Sequence, residues 1–117
     1  MAKLTTHVLD TAHGQPAAGV VIGVYRVDRE GRSLLGRFLT NADGRCDTAL
    51  LADETLRAGV YELDFAIGDY FAGRGVAQSE PRFLDVVTLR IGIADANTNY
   101  HVPLLASPYA YSTYRGS

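Results

Sequence analysis

The 117-residue sequence has no tryptophan and a single cysteine, Cys46. A lone cysteine can form neither an internal disulfide nor a thiol pair for zinc, so we expect a reducing compartment. The sequence also lacks a large excess of either charge. Its 11 lysines and arginines are scattered among 13 aspartates and glutamates, and the formal net charge is -2. A chain without a basic cluster is not expected to bind nucleic acid.

Long apolar runs are missing as well. The sequence opens on MAKLTTHVLD, which has no stretch long enough for a secretory signal, and no later stretch approaches the length of a membrane span. We therefore expect a cytoplasmic protein with no membrane partner. Without linkers, repeats or low-complexity segments, residues 1–117 are expected to form one domain, and a domain of this size buries roughly two thirds of its unfolded surface.

Short β-branched runs between turn residues dominate the pattern. They predict strands at 4–10, 20–28, 33–40, 60–67 and 83–93, with at most a short strand at 45–47 and a loop at 50–57. One short helix is expected at 70–72, after an N-cap at 68–69 and before Gly73 or Gly75. This all-β pattern is typical of an antiparallel β-sandwich.

The last residues, YHVPLLASPYAYSTYRGS, hold two strand-length segments on either side of Ser107 and Pro108. They predict a closing hairpin. A strand that runs to Ser117 would deliver an α-carboxylate, with a reference pKa of about 3.5, to a fixed place on a sheet. Tyr114, Arg115 and that carboxylate are therefore candidates for chemistry.

Strand periodicity indicates which side chains share a face. A period of two puts Thr5, His7 and Leu9 together, and His101 faces the same way as its apolar neighbours two and four residues on. If the first strand and the hairpin lie in one sheet, His7, His101 and Tyr114 project from its outer side. A face of such mixed polarity indicates a second subunit packed over a pocket.

Short motifs spread over the whole chain carry a family resemblance. They are THVLD at 6–10, GQPA at 14–17, NADGR at 41–45, YHVPLL at 100–105, SPY at 107–109 and YRGS at 114–117. The ordered set resembles the 5-hydroxyisourate hydrolases, the transthyretin-related enzymes of urate breakdown. The resemblance implies two four-stranded antiparallel sheets with a short helix after the fifth strand. It also implies a homotetramer, built as a dimer of dimers, with active sites between the dimers.

The resemblance further implies the site residues. The catalytic histidines, the arginine and the C-terminal tetrapeptide of the family map here onto His7, His101, Arg45, Tyr114 and Ser117. The implied substrate contacts come from five residues, His7, Arg45, Tyr114, Arg115 and Gly116. Departures from the family pattern, Cys46 with Asp47 and Leu84, lie outside these motifs.

The implied reaction is hydrolysis of 5-hydroxyisourate to 2-oxo-4-hydroxy-4-carboxy-5-ureidoimidazoline. Histidine, with a reference pKa near 6.5, is the usual base for activating water at neutral pH. We take His7 as the base and His101 as its assistant, with Arg45 offsetting the oxyanion. Tyr114 can donate a hydrogen bond, and the Ser117 carboxylate can hold a histidine in its useful tautomer. No metal or organic cofactor is expected, because the sequence has no histidine, cysteine or acidic residues at the spacing typical of metal ligands.

Two other classes share parts of this pattern. A transthyretin-like carrier has the same fold and a similar SPYxYST segment, but binds thyroid hormones without catalysis. The ionisable groups at His7, His101 and the YRGS end argue against a carrier. An immunoglobulin-like adhesion module needs only a sandwich. The missing tryptophan and signal peptide argue against that module.

Overall fold

A computed structural model describes residues 2–117 of the chain. Helix α1 spans Ile67–Gly73, and a 3-10 turn spans Asp53–Thr55. The strands are β1 (Lys3–Asp10), β2 (Gln15–Pro16), β3 (Val21–Asp28), β4 (Gly31–Leu39), β5 (Leu51–Ala52), β6 (Gly59–Ala66), β7 (Val86–Ile93), β8 (Tyr100–Ser107) and β9 (Ala110–Thr113).

Residues 2–117 form two sheets. One has the order β2-β1-β8-β9, with the two-residue β5 also paired to β1, and the other has the order β4-β3-β6-β7. The predicted β-sandwich is confirmed. One pair departs from the expected antiparallel arrangement, because β1 and β8 run parallel from Leu4 opposite Tyr100 to Asp10 opposite Ala106. A parallel pair needs a long crossover, and nearly the whole chain lies between these two strands.

Alternation along β1 decides what the sandwich buries. Leu4, Thr6, Val8 and Asp10 are buried, whereas the residues between them are half-buried after the exposed Lys3. The inward apolar side chains join a core that also receives large residues from β3, β6 and α1. The outward face of β1 is therefore the predicted face of mixed polarity, and its inward face ends on a buried carboxylate.

Several elements differ from the sequence prediction, and the region predicted as a loop at 50–57 contains β5 and the 3-10 turn. The helix begins at Ile67, before the predicted N-cap, because Ile67, Tyr70 and Phe71 recur at helical spacing and are all buried. The strand expected from Phe83 begins at Val86 instead. Phe83 is 69% exposed and stacks on Tyr109, with ring centroids 5.8 Å apart. No helix in residues 2–117 is long and apolar enough to cross a membrane.

Candidate active site

The parallel pairing of β1 with β8 brings the first histidine-bearing segment beside the second. Thr5 lies opposite His101, and His7 lies opposite Pro103. The Thr5 hydroxyl is 2.8 Å from Nδ1 of His101, a contact between residues 96 apart in the chain. Both imidazoles are half-buried on the outer face of this sheet. Their predicted common face is confirmed.

The turn before Arg45 places that residue next to His7. Gly44 has a φ of +75°, a conformation that favours glycine, and its carbonyl accepts a 2.8 Å hydrogen bond from the Val8 amide. A Cβ at this glycine would overlap the Val8 carbonyl oxygen. The turn therefore docks tightly on β1, and Arg45 forms an isolated antiparallel bridge with His7.

A second glycine lays the end of the chain against the other imidazole. The Gly116 amide donates a 2.7 Å hydrogen bond to the His101 carbonyl, and the two residues form an isolated bridge. A Cβ at Gly116 would lie only 2.7 Å from Cδ2 of the His101 ring. Only a residue without a side chain fits so close to the ring, and this contact carries Ser117 to the same place.

These contacts converge on a cleft of about 440 Å³. Its lining residues are Lys3, Thr5, Arg45, Asn99, His101 and Ser117. A smaller hollow of about 260 Å³ shares Lys3, Thr5 and Arg45 and extends to Cys46 and Asp47. His7 does not line the larger cleft and adjoins it through Arg45.

Two cationic side chains line the cleft although the chain as a whole is acidic. They belong to Lys3 and Arg45, no aspartate or glutamate among the described residues lines the cleft, and Ser117 also lies there. Within residues 2–117 the Arg45 guanidinium has neither an ion pair nor a hydrogen bond, since only its backbone amide donates, to Asn41. Its planar fork of donors is therefore available to an electron-rich ligand.

The cleft also changes the acidity of one imidazole. Burial, followed by the positive charges of Arg45 and His7, lowers the pKa of His101 below its ordinary value. A lowered pKa favours the neutral form of the imidazole. A neutral imidazole has one N–H to donate and one lone pair to accept.

Two of the residues predicted from the sequence, Tyr114 and Arg115, do not line the cleft. The Arg115 guanidinium stacks 4.1 Å from the centroid of the Tyr100 ring and donates a 3.1 Å hydrogen bond to the Asn99 carbonyl. Tyr114 is 60% exposed. Both border an apolar hollow of about 380 Å³ between β7 and β9 rather than the cleft with His101. Their predicted contacts with substrate stay predictions.

Sequence reasoning gave no site role to three of the residues that line the cleft, Lys3, Thr5 and Asn99. Alternation places Thr5 on the face of His7, and Lys3 shares that parity, so extending the same pattern would have found Lys3. Asn99 lies just before β8, and its side-chain oxygen accepts a 2.9 Å hydrogen bond from the Lys3 amide. Cys46 is half-buried near the cleft, and burial, then the charge of Asp47, raises the pKa of its thiol.

The described part of the chain contains no group of three histidine, cysteine, aspartate or glutamate side chains placed to hold a metal ion. The expectation of a reaction without metal or organic cofactor stays a prediction. The groups that the cleft does offer are imidazole, guanidinium, ammonium and hydroxyl. This set can move protons and bind an oxyanion.

Comparisons with known proteins agree with the family resemblance of the sequence motifs. A model of the HIUase/Transthyretin family matches residues 4–116. The chain is 62% identical to the 5-hydroxyisourate hydrolase of Mesorhizobium japonicum over 98% of its own length and 92% of the relative. It is similar to the solved 5-hydroxyisourate hydrolase of Klebsiella pneumoniae, with 33% identity, a TM-score of 0.82 and full coverage of both chains. Sea bream transthyretin, solved with thyroxine, has a TM-score of 0.87 at 25% identity, and the match covers 98% of this chain and 95% of that one.

Proposed function

We propose a hydrolase function for this chain, which belongs to the HIUase/transthyretin family. The substrate is 5-hydroxyisourate, the substrate named for the relatives of highest identity reported above. The observation that carries the proposal is the cleft, where Arg45, His101 and Ser117 meet and which His7 adjoins. The site predicted from the sequence is thereby supported at four of its positions.

The reaction adds water to a carbonyl of the six-membered ring of 5-hydroxyisourate. The water oxygen bonds to the carbonyl carbon, the tetrahedral intermediate carries an oxyanion, and the ring C–N bond then breaks. One proton leaves the water and one reaches the departing nitrogen, so the product is 2-oxo-4-hydroxy-4-carboxy-5-ureidoimidazoline. A single base that takes the first proton can return it in the second step.

We assign that proton shuttle to His7. Because the pKa of His101 is lowered by burial and by the neighbouring Arg45 and His7, His101 is suited to act as a neutral partner that orients the reacting groups. Arg45, whose guanidinium has no partner within residues 2–117, is assigned to the developing oxyanion. Its fixed positive charge becomes most valuable when the negative charge forms.

The end of the chain has a weaker but specific role in this proposal. Ser117 lines the cleft beside His101, which supports an action of its carboxylate there. Tyr114 is kept as a donor to substrate from its position in the family motif, and Arg115 and Gly116 as parts of the same binding segment. Deletion of Ser117 should reduce activity more than stability, since this residue is exposed and outside the strands.

We also propose that the chain works as a homotetramer, a dimer of dimers. The outer face of the sheet that holds the cleft is only half-buried, and Tyr109, Tyr111 and Tyr114 near it are 59%, 45% and 60% exposed. Packing a second subunit over this face would close the cleft to bulk water, which strengthens electrostatic contacts inside it. Light scattering would then give a mass near four times 12.6 kDa.

The second candidate is a carrier without catalysis. The fold similarity to transthyretin solved with thyroxine favours it. The ionisable lining of the cleft favours the enzyme, because a carrier for an aromatic ligand needs mainly apolar walls.

One assay separates the two. Purified protein at micromolar concentration is mixed with freshly generated 5-hydroxyisourate, and the loss of ultraviolet absorbance is compared with spontaneous decay. The hydrolase accelerates this loss in proportion to its concentration. A rate equal to the spontaneous one, together with saturable thyroxine binding by calorimetry, would replace the hydrolase with the carrier.

A further inference from the structure

We infer that Thr5 fixes the tautomer of His101: the Thr5 hydroxyl donates its proton to Nδ1, and the ring therefore presents an Nε2–H to the cleft. The assignment of the tautomer stands on geometry, and its effect on catalysis rests on the proposed hydrolase. It makes Thr5 a positioning residue, which acts through His101 rather than on substrate.

The His101 ring is held at both of its edges. On one edge Nδ1 lies 2.8 Å from the Thr5 hydroxyl oxygen, and the β1–β8 register fixes these two residues opposite each other. On the other edge Cδ2 packs against Gly116, where even a methyl group would lie only 2.7 Å away. A ring rotated by half a turn would bring a carbon against the hydroxyl and lose the hydrogen bond.

The direction of the hydrogen bond follows from the other partners of the hydroxyl. Within residues 2–117, Thr5 has its side-chain hydrogen bond to His101 and to no other group. Its neighbour Thr6, on the opposite face, instead donates to the Val102 carbonyl at 2.7 Å. If Nδ1 carried the proton, the Thr5 hydroxyl would accept, and its own hydrogen would have no acceptor within the described residues. Donation to Nδ1 satisfies both groups with one bond.

The tautomer divides the work between the two imidazoles. A neutral His101 with a protonated Nε2 can donate a hydrogen bond to the oxyanion or to the departing nitrogen, but it has no free lone pair in the cleft for a water proton. The base must then be His7, which takes the water proton and returns it to the leaving nitrogen. Thr5 also performs for His101 the orienting role that the sequence suggested for the Ser117 carboxylate.

Nuclear magnetic resonance of the intact protein with ¹⁵N-labelled imidazoles tests the tautomer without any assay of activity. Two-bond proton–nitrogen correlations distinguish Nε2–H from Nδ1–H, and His101→Asn identifies the His101 signals. The expected result at pH 7 and above is Nε2–H for His101 in the wild type and in Thr5→Ser. In Thr5→Val the signals should move toward a mixture of tautomers. A wild-type His101 with the proton on Nδ1 would overturn the inference.

Steady-state kinetics provide a second test of the hydrogen bond between Thr5 and His101. Losing one hydrogen bond to the ring should lower kcat for Thr5→Val by about tenfold with little change in KM, and Thr5→Ser should restore most of it. Thr88→Val is the matched control, since the Thr88 hydroxyl donates to Asp64 on the other sheet. Equal kcat for Thr5→Val and wild type would remove the positioning role.

An inactive wild type with Nε2–H on His101 would rule out the hydrolase function and leave the tautomer assignment in place. If Thr5→Val does not fold, Thr5→Ser and the wild-type spectrum still decide.

Discussion

The two ends of β1 each carry a polar cluster with a histidine, and the clusters are built in opposite ways. At one end the Asp10 side chain is fully buried and lies 2.6 Å from Nδ1 of His13. Its oxygens also accept hydrogen bonds from the His13 amide at 2.9 Å and the Tyr70 hydroxyl at 2.7 Å. At the other end Thr5, His7 and His101 are half-buried, and Arg45 is exposed.

The two clusters differ in how many hydrogen-bond partners the protein itself gives to their polar groups. Burial raises the pKa of Asp10, but the hydrogen bonds from Tyr70 and His13 outweigh it, and the net pKa is lowered. Three hydrogen bonds from the protein itself reach this carboxylate, and its side chain is fully enclosed. In the cleft the Arg45 guanidinium has no partner within residues 2–117, and the His101 ring has one hydrogen bond among the described residues, with Thr5. A ligand can bind to polar groups on a half-buried face when those groups have no partner within the protein.

The largest effect expected from this contrast is on His7, the proposed base. His7→Gln keeps a polar side chain of similar reach but cannot take a proton, so kcat/KM should fall by about 10²- to 10⁴-fold. The matched control is His13→Gln, the histidine at the other end of β1, which should keep kcat/KM within about twofold. Initial rates with fresh 5-hydroxyisourate measure both. Equal losses in the two variants would erase the distinction between the clusters.

The next effect is on Arg45, the residue proposed to offset the oxyanion. Arg45→Gln removes the unpaired positive charge of the cleft, and kcat should fall by about 10²- to 10³-fold, the usual cost of losing such a donor. Arg90→Gln is the control, because Arg90 lies on β7 of the other sheet and pairs there with Glu62. Circular dichroism should show both variants folded. A kcat for Arg45→Gln near the wild-type value would transfer the oxyanion role to another group.

At the Asp10 end the effect is on stability rather than rate. Tyr70→Phe removes a hydrogen bond to a buried carboxylate, and the free energy of unfolding should fall by about 2 kcal/mol. Tyr25→Phe keeps its ring against Arg32 and serves as the control, with a loss below about 0.5 kcal/mol. Urea titration measures both. An unchanged unfolding midpoint for Tyr70→Phe would mean that the Asp10 cluster is not structural.

The smallest effect is the dependence of that stability on pH. Because the folded pKa of Asp10 is lowered, its carboxylate contributes stability above the unfolded pKa of about 3.9 and loses it as the pH falls through the folded value. The stability difference between wild type and Asp10→Asn should therefore be larger at pH 7 than at the lowest pH where both remain folded. A difference that grew on acidification would contradict the lowered pKa.

Much of the fold could be predicted from local pattern. Alternation along β1 gave the face of His7 correctly, because a period of two holds wherever a strand has one buried side. The parallel pairing of β1 with β8 was not predicted, since no local pattern specifies which distant strand becomes a neighbour.

The site was predictable in type but not in detail. The bond between Thr5 and His101 joins residues 96 apart, and the Asp10 bond from Tyr70 joins residues 60 apart. Arg115 shows the same limit, because its parity does not reveal a stacking contact with Tyr100. Contacts of this kind depend on the assembled sheets and are invisible to spacing alone.

The most direct measurement compares His101→Asn with Asp10→Asn at one temperature below both unfolding midpoints. The account predicts that His101→Asn lowers kcat/KM by about 100-fold or more and leaves the midpoint unchanged. It predicts the reverse for Asp10→Asn, with a lower midpoint and kcat/KM within about twofold of wild type. A His101→Asn variant with wild-type turnover of 5-hydroxyisourate would contradict it.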